Sequence, residues 1–307
     1  MKKRKIFVVG SLNMDIVVST DRLPKRGETL TGQSVHYIPG GKGANQAVCC
    51  AKLGADSTIF GMVGNDWFGT KVLDSLHTNG VDTSYIQIHK STPTGVASIT
   101  HMKEDNTIVV VPGTNGLLTE TELQEFEVVI GENDILLTQL EIPLQTVSAA
   151  LRIAKHKGAV TILNPAPYMS LPDELLKYVD YLTPNETEFE QMIGTTTFDE
   201  GSLRPAIQEW QNLHHHSTMI IVTRGKQGCS YLLNDNVVTV TPPNVDVIDT
   251  VGAGDAFNGG LAYGLASDWD ISRCIDFAVK VSATAVTRFG AQDGMPTQDD
   301  VLQITAK

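Results

Sequence analysis

The chain has 307 residues and a formal net charge of −12, and 41% of its residues are hydrophobic and 19% are charged. This length and composition allow a substantial core and exclude a largely disordered chain. The negative charge argues against a general nucleic-acid or anionic-membrane surface, so small molecules are the expected ligands. No apolar run approaches the roughly 18 residues of a membrane span, and the expected location is the cytoplasm.

Three local features invite other interpretations. The segment Met1–Gly10 resembles a signal peptide, but Asn13 and Asp15 interrupt the apolar run, so we expect a buried first strand. The four cysteines form no C-x-x-C pair, which indicates reduced core thiols. The triplet 214–216 is all histidine and can bind a metal in principle. It lies inside the chain at the end of a predicted helix, and the sequence does not favour a metal there.

Short β-branched runs alternate with helical stretches along the chain. This β-α-β order predicts an α/β fold with a mostly parallel sheet flanked by helices. Ligands of such sheets bind beyond the carboxyl ends of the strands. The predicted strands are Ile6–Gly10, Thr58–Val63, Asp134–Leu140, Val160–Leu163, Tyr178–Leu182 and Met219–Thr223, and the predicted helices are Lys42–Leu53, Asp66–Asn79, Pro143–Lys157 and Phe198–His214.

Two regions break this alternation, at about residues 15–38 and 94–111. Both consist of strand-like runs without helices, and Glu104–Asn106 supplies turn residues within the second. We expect one small β-sheet that acts as a lid over the ligand crevice and has an exposed face suited to dimerisation. The alternative is two unrelated surface hairpins.

The last third of the chain has a hairpin followed by helices. Cys229–Leu233 and Val237–Val240 are predicted antiparallel strands around a turn at Asn234–Asn236. From Gly254 onward the pattern is helical, with breaks near Ser267–Asp270 and after Arg288.

The segment Val247–Gly260 places a carboxylate in a glycine-rich turn that opens a helix. Gly252 and Gly254 let the backbone approach a ligand closely, and the free amides of the first helical turn favour an oxyanion. The helix dipole is expected to keep Asp255 ionised near neutral pH, so that it can accept a hydroxyl proton. The pattern therefore indicates phosphoryl transfer, whereas the simpler alternative is an aspartate that caps a helix.

Polar groups near the amino terminus suit a polyhydroxylated ligand. In Gly40–Gln46 the backbone amides near Gly41 and Gly43, together with Asn45, can hold hydroxyls, and Lys42 adds a positive charge; the spacing is not that of a Walker loop. Two further acids stand after predicted strands, Asp15 beside Asn13 on one side of extended backbone, and Glu141. The alternatives are a simple glycine-rich loop and solvated surface acids.

Two later motifs suit a nucleotide. Asn185 and Glu188 lie three residues apart at a strand-to-helix turn, where oxygen ligands can hold the water shell of Mg²⁺. Taken alone, a helix cap with first-turn acids is the preferred interpretation of this pair. Thr223–Gly228 follows another strand, and it either wraps a nucleotide or forms a tight turn.

These motifs, with Asn-Pro-Ala-Pro at residues 164–167, stand in an order that resembles the ribokinase-like sugar kinase family from about Gly10 to Gln292. The resemblance implies a single Rossmann-like α/β domain over residues 1–307, with a β-lid that pairs with the lid of a second subunit. It also implies ATP-dependent phosphorylation of D-ribose at its terminal hydroxyl, with Mg²⁺, and activation by K⁺.

Residue roles follow from the resemblance by position. It implies that Asp255 is the catalytic base and that Gly252, Ala253 and Gly254 form the anion hole. Val279 and Gly294 depart from the family pattern, in which a polar residue and a serine are common. The implied sugar contacts are Asn13, Asp15, Gly41, Lys42, Gly43, Asn45 and Glu141. The implied nucleotide and Mg²⁺ contacts are Asn185, Glu188, Thr223, Arg224, Gly225, Lys226, Gln227, Gly228, Gly254 and Val279. The implied monovalent-cation site is Asp249, Val251, Ala285, Arg288, Gly290 and Gly294.

Other functions are less well supported by the residues. Two acids and one lysine at the sugar site would repel a phosphorylated sugar, which leaves 2-deoxyribose as the nearest competitor of ribose. A nucleoside would need an aromatic clamp, for which the lid offers only Tyr37 clearly. A dinucleotide-dependent oxidoreductase would need a third glycine where Phe257 stands. A sugar-binding regulator without chemistry would not need Asp255.

Overall fold

The computed structural model describes residues 4–102, 106–195, 200–214 and 217–304. These residues contain two β-sheets and ten α-helices. The strands are β1 Ile6–Val9, β2 Asn13–Ser19, β3 Ser34–Gly40, β4 Ser57–Gly64, β5 Asp82–His89, β6 Gly95–His101, β7 Asn106–Val111, β8 Ile135–Gln139, β9 Val160–Asn164, β10 Tyr181–Leu182, β11 Met219–Thr223, β12 Cys229–Leu233 and β13 Asn236–Val240. The helices are α1 Lys42–Lys52, α2 Trp67–Thr78, α3 Gln124–Val129, α4 Leu144–His156, α5 Asp173–Leu176, α6 Glu186–Ile193, α7 Glu200–His214, α8 Ala253–Ala266, α9 Ile271–Ala285 and α10 Gln298–Ile304.

The larger sheet has nine strands in the order β13-β12-β11-β10-β9-β8-β1-β4-β5. All pairs from β5 to β11 are parallel, and β12 and β13 add an antiparallel edge. Side chains of β1 alternate between two buried clusters: Ile6 and Val8 pack with α1, α8 and α9, and Phe7 and Val9 pack with α3, α4 and α7. The prediction of a mostly parallel sheet with helices on both faces is confirmed.

A separate four-stranded sheet, which we call the lid, has the order β3-β2-β6-β7. One sheet was predicted here rather than two unrelated hairpins, and this is confirmed because β2 pairs with both β3 and β6. Its strands reach Asn13 and Gly40, two residues beyond the predicted limits of 15 and 38. Asp15 pairs with Ile38 and Ala97, so these share one face, and Tyr37 lies on the opposite face because strand side chains alternate.

Some element boundaries differ from the predictions. The predicted strand Tyr178–Leu182 contains only Tyr181 and Leu182, because the amides of Tyr178 and Val179 bond back to the carbonyls of Leu175 and Leu176. Strand β5 was not predicted, since it is an edge strand with mixed polar and apolar residues. Helix α9 ends at Ala285, and the amide of Arg288 bonds to the carbonyl only three residues back. Some predictions concern residues outside the described ranges, namely Glu104, Asp105, Phe198, His215 and His216.

The amino-terminal segment and the cysteines agree with expectation. The apolar run after Lys5 forms β1 at the centre of the larger sheet, between β4 and β8. All four cysteines are free and buried. Among the described residues, no helix combines the length and apolarity that a membrane crossing requires.

Helix α8 approaches its neighbours closely through three glycines. A Cβ atom on Gly259 would lie 2.5 Å from the Cys49 sulfur of α1, and one on Gly260 would lie 2.9 Å from the Cα atom of Ala278 in α9. A Cβ atom on Gly264 would lie 2.9 Å from the Cys274 sulfur. Because real Cβ atoms do not make such contacts, glycine at these positions is what lets α8 pack between α1 and α9.

Candidate active site

The turn before α8 presents free amides. Gly252 caps the helix with φ of 80°, and a Cβ there would also lie 3.1 Å from the Cα atom of Ala291, so both conformation and space require glycine. The first helical hydrogen bond runs from the Ala256 amide to the Gly252 carbonyl at 2.8 Å. The Ala253 amide donates to the Thr250 carbonyl at 3.2 Å, so Gly254 and Asp255 offer the freer amides of the predicted anion hole.

Asp255 is buried, with 7% of its surface exposed, and both carboxylate oxygens accept hydrogen bonds. Asn45 Nδ2 donates to Oδ2 and Gln46 Nε2 donates to Oδ1, each at 2.9 Å. Burial raises the pKa of Asp255, against the opposing effects of Lys42 and the two amides. The helix dipole favours the ionised form of Asp255, as predicted, whereas burial acts in the other direction and makes this carboxylate a stronger proton acceptor.

Lys42 lies among four carboxylates. Burial lowers the pKa of its ammonium group, but Asp255, Glu141, Glu188 and Asp15 outweigh this effect and raise it. Lys42 therefore carries a full positive charge that these four carboxylates stabilise.

Asp15 lies in β2 on the same face as Asn13, as predicted. A Cβ at Gly40 would overlap the Asp15 carboxylate, so the facing strand leaves room for it. Burial, with Glu141 and Asp255, raises the pKa of Asp15 to about 7, and Lys42 opposes the shift. Asn13 Oδ1 accepts a hydrogen bond from Asn115 Nδ2 at 2.7 Å, which fixes the orientation of its amide.

Glu141 is held by the segments on either side of the site. Its Oε2 accepts hydrogen bonds from Ser11 Oγ at 2.5 Å and from the Lys42 amide at 3.1 Å. The Gly43 amide donates to Ser11 Oγ at 3.3 Å, and a Cβ at Gly41 or Gly43 would overlap backbone of residues 10–13. The amides of Lys42 and Gly43 therefore have acceptors within the protein. Glycine at positions 41 and 43 therefore allows close packing against this backbone.

The motifs predicted to bind the nucleotide line a cavity of about 690 Å³. Three of the predicted contacts, Glu188, Arg224 and Gln227, are not among its lining residues. Arg224 is buried beside Glu186, and its Nη1 donates to Ser230 Oγ at 3.2 Å, so it holds the loop together. The predicted residues that do line the cavity are Asn185, Thr223, Gly225, Lys226, Gly228, Gly254 and Val279, and the lining residues that the sequence did not indicate include Pro242, Asn244, Val245, Phe257 and Ser282.

A second cavity of about 190 Å³ adjoins the first and includes Asp255 in its lining. Lys42, Glu188 and Asp255 line this second cavity. Gly254 lines both cavities, so the glycine turn stands where they meet. The two cavities also share Asn185, Thr223, Thr250 and Ala253.

Asn185 and Glu188 cap α6 reciprocally. The Asn185 side chain accepts from the Glu188 amide, and the Glu188 side chain accepts from the Asn185 amide, each at 2.8 Å. The helix-cap interpretation of this pair is confirmed. Within the described ranges, no group of three or more His, Cys, Asp and Glu side chains converges as a metal site.

Three carbonyl oxygens converge beside Gly294. A Cβ on that residue would lie 2.6, 3.2 and 3.5 Å from the carbonyl oxygens of Gly290, Ala285 and Arg288. Asp249 closes the same region, because its carboxylate accepts from the amides of Val251 at 3.0 Å and Gly290 at 2.9 Å. The Arg288 side chain pairs with Asp300 and contributes only its carbonyl.

Several polar residues of the site were not predicted from the sequence. Gln46 stands directly after Asn45, Asn164 begins the Asn-Pro-Ala-Pro motif, and Thr183 stands two residues before Asn185, so a signal existed for these three. Nothing in the sequence pointed to Ser11 or Asn115, whose roles depend on contacts across the fold. Asn258 was also missed; its side chain accepts from Thr183 Oγ1 at 2.7 Å.

Known proteins resemble this chain over nearly its whole length. The profile described as pfkB family carbohydrate kinase matches residues 3–298. The ribokinase of Bacillus subtilis is 39% identical, covering 98% of this chain and 99% of its own. The deoxyribokinase of Salmonella typhi is 33% identical, covering 95% of each. The structure of Arabidopsis thaliana ribokinase complexed with ribose and ATP is 30% identical, with a TM-score of 0.89 and 98% of each chain covered. On these grounds the chain belongs to the pfkB family of carbohydrate kinases.

Proposed function

We propose that the protein transfers the γ-phosphoryl group of ATP to O5 of D-ribose, giving ADP and ribose 5-phosphate. The observation that carries the proposal is the buried carboxylate of Asp255, which lies at the amino end of α8 beside the glycine turn that joins both cavities. The ribokinase relatives support the choice of ribose as substrate.

In the proposed reaction, Asp255 accepts the proton of the ribose 5-hydroxyl as that oxygen bonds to the γ-phosphorus. The bond between the γ-phosphorus and its bridging oxygen breaks, and ADP leaves with the electron pair. The free amides of Gly254 and Asp255 stabilise charge on the phosphoryl group, and Lys42 neutralises part of it. The raised pKa of Asp255 strengthens its proton affinity.

The sugar side suits a neutral polyol. Asp15, Glu141 and Asn13 present acceptors and an amide to hydroxyl groups, and two carboxylates would repel a substrate that is already phosphorylated. A nucleoside is disfavoured because Tyr37 lies on the lid face opposite to Asp15, with its ring 5.7 Å from that of Trp67. 2-Deoxyribose remains the alternative substrate, in view of the deoxyribokinase relative.

We assign ATP to the larger cavity, whose apolar residues Phe257 and Val279 suit a base and whose Lys226 suits phosphates. Mg²⁺ bound with the nucleotide would neutralise phosphate charge, and Glu188 and Asn185 supply oxygen ligands for its water shell. K⁺ is assigned to the carbonyl oxygens beside Gly294, together with Asp249 and Val251, because such oxygens suit a large monovalent cation.

We also propose that the whole activity resides in one domain over residues 1–307 and that two lids pair in a homodimer. The lid carries exposed apolar side chains, of which Val35, Ile108, Val109 and Val111 are each about half exposed or more. Dimerisation would cover this surface, and light scattering measures the mass directly. The four free thiols suit the reducing cytoplasm.

A coupled assay of ADP release tests the proposed function. The assay compares ribose, 2-deoxyribose, fructose 6-phosphate and adenosine in the presence of MgCl₂. Ribose is expected to give the highest kcat/KM, and KCl is expected to stimulate turnover more than tetramethylammonium chloride at equal ionic strength. A higher kcat/KM for another acceptor would refute the substrate assignment, and equal rates in the two salts would refute the K⁺ assignment.

The KM for ribose is expected to fall as the pH rises from about 6 to 8. Because the pKa of Asp15 is raised to about 7, its carboxyl is neutral below that pH and accepts hydroxyl hydrogen bonds as an anion above it. Asp15→Asn should raise KM and flatten this pH dependence. Asp21→Asn is the matched control, since Asp21 is an exposed lid residue that bonds to Gln33. An Asp15→Asn profile with the same slope as the wild type would contradict the role of Asp15.

A further inference from the structure

Gln46 is a buried side chain that touches Asp255 directly. It is fully buried in α1, and its Nε2 donates to Asp255 Oδ1 at 2.9 Å. The same nitrogen donates to Asn164 Oδ1 at 3.2 Å, at the end of β9. The side-chain amide of Gln46 therefore connects Asp255, the proposed base, to the carboxyl end of β9 in the larger sheet.

The other end of Gln46 is fixed as well. Its Oε1 accepts a hydrogen bond from Gln139 Nε2 at 2.5 Å, and Gln139 is the last residue of β8 and is fully buried. Because Oε1 is occupied by a donor, the amide of Gln46 is held with its NH₂ group toward Asp255. Gln139 Oε1 is buried without a hydrogen-bond partner. Burial of the Gln139 side chain therefore costs free energy, and an apolar residue at this position would avoid that cost.

The second oxygen of Asp255 is held by a similar arrangement. Asn45 Nδ2 donates to Oδ2 at 2.9 Å, and Asn45 Oδ1 accepts from Gln292 Nε2 at 3.2 Å. Gln292 Oε1 in turn accepts from Ser75 Oγ at 2.8 Å in α2. Each oxygen of Asp255 thus accepts a hydrogen bond from a side-chain amide of α1, and the oxygen of that amide accepts a hydrogen bond from a glutamine elsewhere in the fold.

We propose that Gln46, held in place by Gln139, is a positioning residue that fixes the orientation of the Asp255 carboxylate for proton transfer. The inference rests on the proposed function, in which Asp255 accepts the hydroxyl proton. A carboxylate that already accepts one hydrogen bond at each oxygen cannot rotate without losing both, so its remaining lone pairs keep a fixed direction toward the substrate.

The side-chain amide of Gln46 also opposes the effect of burial on the pKa of Asp255. Its hydrogen bond lowers the pKa of Asp255, as does that of Asn45, while burial raises it. The other charged groups near Asp255 are Lys42, which lowers this pKa, and Glu141, which raises it. Asp15 and the thiol of Cys49 also interact with Asp255. Changes at Gln46 leave all four groups in place.

The test replaces Gln46 with methionine and with glutamate in the full-length protein. Methionine conserves the volume but removes the donor, and glutamate conserves the shape but sets a second carboxylate beside Asp255. For ribose phosphorylation, kcat is expected to fall about tenfold in Gln46→Met and about 100-fold in Gln46→Glu, with the KM for ribose little changed. In both variants the acid limb of the kcat profile should move to higher pH, further in Gln46→Glu.

A merely structural role would give the opposite result. Gln46→Met would then keep kcat within about threefold of the wild type and leave the acid limb unmoved, since volume-conserving changes are well tolerated. The matched control is Thr138→Val, which removes the buried hydrogen bond from Thr138 Oγ1 to the Val9 carbonyl without touching Asp255. It should lower thermal stability and leave the pH profile in place.

Kinetics of Gln139→Met test the positioning role if a Gln46 variant folds poorly, and carboxyl NMR tests it if ribose is not the substrate. Gln139→Met removes only the hydrogen bond to Gln46 Oε1 and should lower kcat by less than Gln46→Met, with the acid limb shifted in the same direction. Carboxyl ¹³C NMR, with Asp255 assigned from Asp255→Asn, follows the titration of Asp255 without any substrate. An Asp255 titration that is identical in the wild type, Gln46→Met and Gln139→Met would refute the positioning role, while an inactive wild type would refute only the proposed function.

Discussion

Asp255→Asn is expected to lower kcat for ribose by a factor of about 10² or more, with the KM for ribose changed much less. Asparagine has nearly the same shape as aspartate but cannot accept the hydroxyl proton. Two amide nitrogens face the two oxygens of Asp255, and asparagine offers only one acceptor, so either Asn45 or Gln46 loses its partner. The measurement is steady-state kinetics by ADP release, together with thermal unfolding to register the lost hydrogen bond.

A matched control for this change is Asp276→Asn. Asp276 is an exposed residue of α9 that pairs with Lys280 at 2.6 Å, and such a surface pair contributes little to stability. The control should keep wild-type kcat and nearly wild-type stability. If Asp255→Asn retained kcat within a few-fold of the wild type, Asp255 would not be the base.

Gly254→Ala is expected to separate activity from stability. No atom would lie within 4 Å of an added Cβ, and Gly254 is in the first turn of α8 with ordinary helical backbone. Alanine should therefore raise the free energy of unfolding by about 0.5 kcal/mol. Because Gly254 lines both cavities, the methyl group would enter the path of the phosphoryl group, and kcat/KM for ATP should fall by a factor of about 10².

Gly252→Ala provides the contrasting case, because it should lose stability as well as activity. Gly252 has φ of 80°, and a Cβ there would lie 3.2 Å from the Cβ atom of Ala291. Gly131→Ala is a control outside the site, where the nearest atom to the added Cβ would be 3.5 Å away. Chemical denaturation and ATP titrations distinguish the three variants. A Gly254→Ala protein with normal kcat/KM for ATP would show that the phosphoryl group takes another path.

Much of the fold could be predicted because its signals are local. Parallel strands such as β4 are buried along their whole length and appear as continuous apolar runs, and the helices between them have regular apolar spacing. The lid was predictable because its strands lack an intervening helix. Strand β5 was missed because an edge strand is half exposed, and its polar residues resemble those of a loop.

The candidate site was predictable to the extent that its residues stand in short motifs. Asp255 and the glycines around it are adjacent in sequence, and their chemistry follows from a single helix end. The environment of Asp255 was not predictable, because Asn45 and Gln46 reach it from more than 200 positions away in the chain. The sequence predicted an ionised Asp255 from its place at a helix terminus. Burial, which raises the pKa of Asp255, depends on the tertiary fold and could not be predicted. The inward-facing Arg224 was likewise hidden, since its partner Ser230 belongs to the next strand.

The glycines of α8 have a consequence for how mutations spread through this enzyme. Gly259, Gly260 and Gly264 face α1 and α9 rather than a ligand, yet any side chain there would wedge the three helices apart. Since α1 carries Asn45 and Gln46 and α8 carries Asp255, such a wedge would separate the proton acceptor from its two donors. Tolerance to substitution should therefore be as low at these three glycines as at the residues proposed to bind the phosphate.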